Sequence, residues 1–266
     1  MDKKNKKRFK LIHFILFFVV GIIFVFLVYY TTMLLLATTK TINSINTKYS
    51  YTQIEKTSID ERFFKDSAFA ALQKEKAFYQ SKLIMAETDS IGLTIDLPDS
   101  LASLEINGVI VHKTKISSMS ESVVFSKANS YSIASMLSKP LLIVNRYSTI
   151  KREPLMIKMA PKDTSEYKPD IIPDTTNAEP VNYILEMDNG IRLFFYQEEC
   201  KKMSDLYNQT IFDFKDRLRT TTAALDSVKK FSIPQYHPFI KIRLPKVDAK
   251  IIYRALPEKG LVVVFR

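Results

Sequence analysis

FIKIRLPKVDAKIIYRALPEKGLVVVFR, residues 239–266, reads as strand, helix, turn and strand. Ile240, Ile242 and Leu244 alternate with Phe239, Lys241 and Arg243, the period-two pattern of a half-buried strand. Pro245 stands where a helix would start, VDAKIIYRAL follows it, PEKG makes a turn, and LVVVF ends the block as an apolar strand. In such a strand Lys241 and Arg243 share the face opposite Ile240 and Ile242.

Upstream the same alternation recurs. Residues 93–97 (LTIDL) follow Gly92, and SLEINGVIVHKTKI sets Asn107-Gly108 between two β-rich runs, the preferred type I′ hairpin signal. VNYILEMDNGIRLFFY predicts a second hairpin with Asn189-Gly190 at its turn, and residues 140–145 and 154–159 read as further strands. The Ser-rich stretch 117–138 is ambiguous, with room for a helix before Pro140. Residues 163–180, with Pro169, Pro173 and Pro180, form a loop without periodicity, a lid or a tether. Residues 198–231 lack Gly and Pro and read as a long helix. Together, residues 90–266 make one mainly β, α+β domain with two or three helices.

The N-terminal end is of a different kind. Residues 11–37, LIHFILFFVVGIIFVFLVYYTTMLLLA, carry no Asp, Glu, Lys or Arg. As a helix this run is about 40 Å long, against a hydrocarbon core of about 30 Å, so it spans with tilt or lets its last turn protrude. It is too long for the apolar part of a signal peptide, and LLLATTK is a poor cleavage site, which indicates an uncleaved anchor. Six of the 39 basic residues lie among the first ten positions, against one acidic residue. The positive-inside rule then keeps residues 1–10 in the cytoplasm and sends the rest out, with Tyr29 and Tyr30 near the outer interface. His13, beside the basic end, is an interfacial residue rather than a proton relay.

Residues 38–57, rich in Thr, Ser and Asn, read as a stalk whose first turns can continue the membrane helix. Ser58 and Glu61 have capping-box spacing, and residues 58–89 predict a membrane-proximal helix. Two readings stay open for it: a coiled coil that makes a homo-oligomer, or a helix packed on its own domain.

Composition excludes several chemistries. Five glycines stand where roughly 19 are usual, and neither nucleotide-binding glycine motif occurs. One cysteine and three histidines exclude a disulfide framework and paired-cysteine zinc sites, and no cofactor or metal signal is present. Of the formal charge of +11, a net +5 lies in the first ten residues as a topology signal and the remaining +6 is modest, so nucleic acid is not the expected partner. The absence of paired cysteines fits a bacterial envelope.

The last 30 residues resemble the end of the L,D-transpeptidase catalytic domain, a periplasmic fold that crosslinks peptidoglycan through a cysteine. Its motif S-H-G-C-[IV]-R-[LM] is followed by a polar pair and an Asp-Ala opening a helix. Here Ile242-Arg243-Leu244 precede Pro245-Lys246 and Asp248-Ala249, with a turn and strand beyond. The hairpin SLEINGVIVHKTKIS is similar to that family's opening hairpin, and IRLFFYQ would hold the strand carrying its I-H-G. The resemblance sets Lys241 at the nucleophile, Ile240 at the glycine and Phe239 at the histidine, with Tyr196-Gln197 replacing the upstream His-Gly. It implies a related fold with a lost active site, because lysine, with a reference pKa near 10.4, is a poor substitute for a thiolate.

Lys241 and Arg243, with Phe239 and Tyr196 around them, are thus candidates for binding an anion such as a stem-peptide carboxylate, or else a solvated strand face. Cys200, in Glu198-Glu199-Cys200-Lys201-Lys202, is a candidate reactive thiol or an inert one; two adjacent carboxylates oppose thiolate formation. The expected protein is a single-pass inner-membrane protein with a non-catalytic periplasmic domain that binds peptidoglycan or an envelope partner. The alternatives are a structural subunit of a membrane-spanning secretion or division complex, and a Cys200-dependent acyl-transfer enzyme.

Overall fold

A computed structural model of the chain describes residues 3–50, 67–151, 179–199 and 203–266. One long apolar N-terminal helix precedes a mixed α+β domain built on one sheet. Helix α1 runs Lys3–Lys48, so it does not end near Ala37: eleven of the residues expected as stalk continue it. Thr and Asn are weak helix formers, and contacts hold them in place. Ile45 is buried, and Asn46 Oδ1 accepts from the Asn129 amide at 2.9 Å. The expected membrane-proximal helix is present as α2, Ser67–Ala86. Ser58, Glu61, Cys200, the strand expected at 154–159 and nearly all of the loop 163–180 lie outside the described residues.

Among the described residues nine strands follow: β1 Gly92–Asp96, β2 Leu101–Ile106, β3 Val109–Lys115, β4 Ser118–Glu121, β5 Leu141–Ser148, β6 Asn182–Met187, β7 Arg192–Gln197, β8 Phe239–Leu244 and β9 Leu261–Phe265. Helices α3 (Val123–Lys127) and α4 (Ser130–Leu137) fill the ambiguous Ser-rich stretch, α5 is Met203–Lys229 and α6 is Lys246–Ala255. Ser122 and Asn129 cap α3 and α4, their side chains accepting from the amides of Val124 and Tyr131. The sheet order is β3-β2-β1-β9-β5-β6-β7-β8-β4. Pairs β1–β9 and β7–β8 are parallel and the rest antiparallel.

The two edge strands, β3 and β4, are separated in the chain by Ile116 and Ser117 alone. The three steps from Lys115 to Ser118 reach at most about 11 Å, whereas nine strands laid flat span roughly 40 Å, so the sheet must curl until its edges approach. At the link Ile116 N–H donates to Ser100 and Ser117 N–H donates to Arg243 of β8. The inner side carries Leu93, Ile95, Leu104, Tyr183, Leu185, Leu193, Phe195, Ile240 and Ile242, all essentially buried. Helix α6 packs there through Ala249, Ile252 and Tyr253, whose ring lies 4.9 Å from Tyr183. Its first turn is held by Glu199 Oε2, which accepts from the Lys246 amide at 2.8 Å, and by Asp248, which accepts from Thr114 at 2.7 Å.

Both expected hairpins form, with different turns. Asn107 (φ 50°) and Gly108 (φ 79°) are both left-handed, as a two-residue type I′ turn requires. In the second, Gly190 (φ 85°) is left-handed and Asn189 is not. There the Met187 amide donates to Ile191 and the Gly190 amide to Met187, a three-residue loop closed by one left-handed glycine.

By compactness the chain divides into two units, residues 1–44 with 216–236, and residues 45–215 with 237–266. The second half of α5 therefore groups with the N-terminal helix and not with the rest of the expected 90–266 domain.

Candidate functional site

The outer face of β7 and β8 carries the site. Parallel register sets Arg192 opposite Phe239, Phe194 opposite Lys241, and Tyr196 opposite Arg243. Because side chains alternate along a strand, these six residues share one face. Each cross-strand pair joins a cation to an aromatic ring. Lys241 Nζ lies 5.4 Å from the Phe194 centroid and 5.3 Å from that of Phe239. Arg243 Cζ is 5.7 Å from the Tyr196 ring, and Arg192 Cζ is 5.1 Å from Phe194. Such contacts are each worth about 0.5–1 kcal/mol where water reaches them. Arg192 is also neutralised by Glu186 on β6, at 3.0 Å.

The first half of α5 lies over part of this face. Phe212 packs with Ile184, Phe194 and Tyr196, and the partly buried Phe239 packs against them. One turn and less away, Gln209 and Asp213 line an open cleft of about 240 Å³ with Ser118, Ser120, Tyr196, Lys241 and Arg243. The Tyr196 hydroxyl donates to Asp213 Oδ1 at 2.7 Å, and Arg243 Nη1 donates to the Gln197 carbonyl at 3.3 Å. Among the described residues no carboxylate pairs with Lys241. The cleft thus holds two cations and one carboxylate that is already engaged. Beside the cations, β4 lines the cleft with Ser118 and Ser120, in register with Arg243 and Lys241, and with Met119.

Tyr196, Phe239, Lys241 and Arg243, singled out from sequence, come together here; Cys200 lies outside the described residues. Asp213, Gln209, Phe194 and the two serines escaped sequence reasoning. The one available signal was the mirrored spacing of Arg192-x-Phe194-x-Tyr196 and Phe239-x-Lys241-x-Arg243, which acquires meaning once β7 and β8 are known to pair.

No described histidine lines the cleft. His112 Nε2 is 3.1 Å from Asp248 Oδ1, and His237 Nδ1 is 3.1 Å from the Gly190 carbonyl oxygen, both structural ties. Among the described residues no group of three or more His, Cys, Asp or Glu side chains gathers to hold a metal. A larger depression of about 460 Å³, between Met119 and Leu97-Pro98, adjoins the cleft across β4. Its Arg266 is neutralised by Glu121 in two 2.6 Å contacts and Lys74 also lines it, so what distinguishes the smaller cleft is its adjacent pair of cations.

The fold and site define a class: a mixed α+β sheet domain with an open cationic cleft, preceded by an apolar helix of membrane-crossing length. Comparison with protein-family models, with curated proteins and with solved structures finds no match to this chain.

Proposed function

We propose that the chain is an inner-membrane protein of a bacterial envelope. Helix α1 anchors it with its basic end in the cytoplasm, and a non-catalytic periplasmic domain binds peptidoglycan or an envelope partner at the Lys241–Arg243 cleft. One observation carries this reading: two adjacent cations, Lys241 and Arg243, braced by aromatic rings, border an open cleft. Such a pair receives a carboxylate well. Helix α1 supports the anchor, since its window of mean hydropathy 2.5 has no buried residue, and an all-round apolar exposed helix is stable in lipid. The domain is, in this reading, a degenerate L,D-transpeptidase. The support is the 239–266 block itself, which is strand, helix and strand, with lysine at the position the resemblance gives to cysteine.

The test is cosedimentation of the full chain, in detergent, with purified sacculi across a salt series. Binding that resists moderate salt and weakens about tenfold in Lys241→Ala or Arg243→Ala supports the reading. Sacculus binding indifferent to both changes sinks it.

A second reading, a subunit of a membrane-spanning assembly, has its own observation. Leu72, Tyr79 and Leu83 form an exposed apolar stripe on α2, opposite the face that packs Phe78 and Met85 on Val263. Self-association of the chain lost in Leu72→Glu and Leu83→Glu, without affinity for sacculi, would favour it. The Cys200 enzyme predicts thiol labelling at neutral pH far faster than a free cysteine, and activity lost in Cys200→Ser.

A further inference from the structure

The C-terminal end of α5 is built in an uneconomical way. Phe231 N–H donates to the Val228 carbonyl and Ser232 N–H to the Ser227 carbonyl, both at 3.0 Å, the paired bonds of a Schellman cap. Glycine usually holds the left-handed position of this cap. Here it is Phe231, at φ 54°, with 83% of its surface exposed. A bulky residue in that region is strained, and an exposed ring returns nothing to the fold in water.

The apex has a defined position along α1 within their common unit. The Phe231 ring is 6.2 Å from that of Tyr29, and Thr41 Oγ1 donates to the Tyr236 carbonyl at 3.3 Å. From Tyr29 to Thr41 the helix rises about 18 Å. The five steps from Phe231 to Tyr236 cover about 17 Å when extended, so the chain descends along α5, turns at Phe231 and climbs straight back. Phe231 is the lowest point of that excursion. Counting from Leu11, the first charge-free residue, about 20 residues cross a hydrocarbon core, which ends the core at Tyr30. Tyr29 and Tyr30 then sit in the aromatic belt, and beyond them the helix has a mixed surface, with Leu35 72% exposed and Ala37 2% exposed.

We infer that Phe231 is a second membrane contact, its ring inserted at the outer lipid interface beside Tyr29 and Tyr30, with Lys229 and Lys230 at headgroup level. The occupant of this exposed apolar apex is the bilayer surface. Lysines flanking an interfacial aromatic favour anionic headgroups. Both lysines are exposed, and Lys229 has a 3.7 Å contact with Asp226 in a fully hydrated setting. This inference rests on the reading of α1 as a membrane span.

The chain has no tryptophan, so Phe231→Trp provides a single fluorophore in the full-length protein. Leu218→Trp, thirteen residues earlier on α5 and about 20 Å away, is the control. Both are reconstituted in phosphatidylcholine–phosphatidylglycerol vesicles whose acyl chains are brominated near the headgroup. Emission from position 231 is expected to be quenched several-fold more than emission from position 218. Equal quenching overturns the inference. Phe231→Gly supplies a variant that the cap favours sterically: in vesicles, trypsin should cut it at Lys229 or Lys230 several-fold faster than the natural chain, and equal rates overturn the inference. Release of the protein from vesicles by alkaline carbonate removes the span itself, and the inference with it. Retention without quenching removes the inference alone.

Discussion

The Tyr196 hydroxyl and Asp213 Oδ1 are 2.7 Å apart, and their bond ties β7 to α5 at the wall of the cleft, beside Arg243. It holds the one carboxylate of the cleft against its aromatic wall. Asp213→Asn keeps an acceptor for the hydroxyl and removes a negative charge, so affinity for sacculi should rise several-fold at low salt and the gain should shrink as salt is added. Tyr196→Phe should cost about 1–3 kcal/mol in urea unfolding, because it removes a hydrogen bond to a charged group. Unchanged sacculus binding by Asp213→Asn would mean that the anion does not enter this cleft.

Tyr183 is fully buried, its hydroxyl has no hydrogen-bond partner among the described residues, and burial raises its pKa well above 10, more than the nearby Arg146 lowers it. The unfolded chain loses this proton near pH 10 while the folded chain keeps it, so the unfolded state binds fewer protons there and stability falls. The contribution is complete below pH 10 and declines by about 1.4 kcal/mol per pH unit above it, until the folded group itself ionises. Thermal melts between pH 8 and 11 should show this slope, and Tyr183→Phe should flatten it. The same change should leave stability at pH 7 equal or about 1 kcal/mol higher, since it deletes an unsatisfied hydroxyl. A melting temperature independent of pH through 11 in the natural chain would contradict this account.

The 239–266 block was legible because each piece announces itself locally: alternation for β8, a proline before α6, an apolar run for β9. The outer β7–β8 face was legible only in halves. Lys241 and Arg243 follow from alternation, but Phe194 and Asp213 join them through a parallel pairing that spans a long helix, which no local pattern encodes. Strand β4, Ser-Met-Ser-Glu, has no β-branched or aromatic residue, and its pairing with β8 makes it a strand. The end of α5 was hidden for the opposite reason. Phe231 occupies a position that normally signals itself with glycine.

Glu105 is 2% exposed on β2, and Lys82 of α2 reaches it at 3.1 Å. Near them the hydroxyls of Ser81 and Thr94 are buried without hydrogen-bond partners among the described residues. The interface between α2 and the sheet therefore has a polar centre. Removing one member of such a pair leaves a charge stranded, so Lys82→Met should destabilise the chain by about 3 kcal/mol. Replacing both, Lys82→Met with Glu105→Leu, should recover most of that loss or exceed the natural stability. The double-mutant cycle, read by urea unfolding, decides: additive single effects would mean that the pair is not coupled.

Gly92 opens β1 beside Met85 in the last turn of α2. A Cβ added there would run into Met85 Sδ, with Cγ at 2.8 Å, and Met85 is itself 3% exposed. The position needs glycine for space, since its backbone is not left-handed. Gly92→Ala should therefore cost about 1–3 kcal/mol as an overpacked contact. Met85→Ala alone should cost about 2–5 kcal/mol as a cavity. Combined, the new methyl occupies part of the space the thioether leaves, so the double variant should be more stable than the sum of the two losses by about 1 kcal/mol or more. Strict additivity would show that Met85 moves aside without loss and that α2 is loosely seated on the sheet. Positive coupling would show that Gly92 and Met85 set the distance between helix and strand, and with it the burial of Phe78 against Phe265, whose rings stack at 4.6 Å.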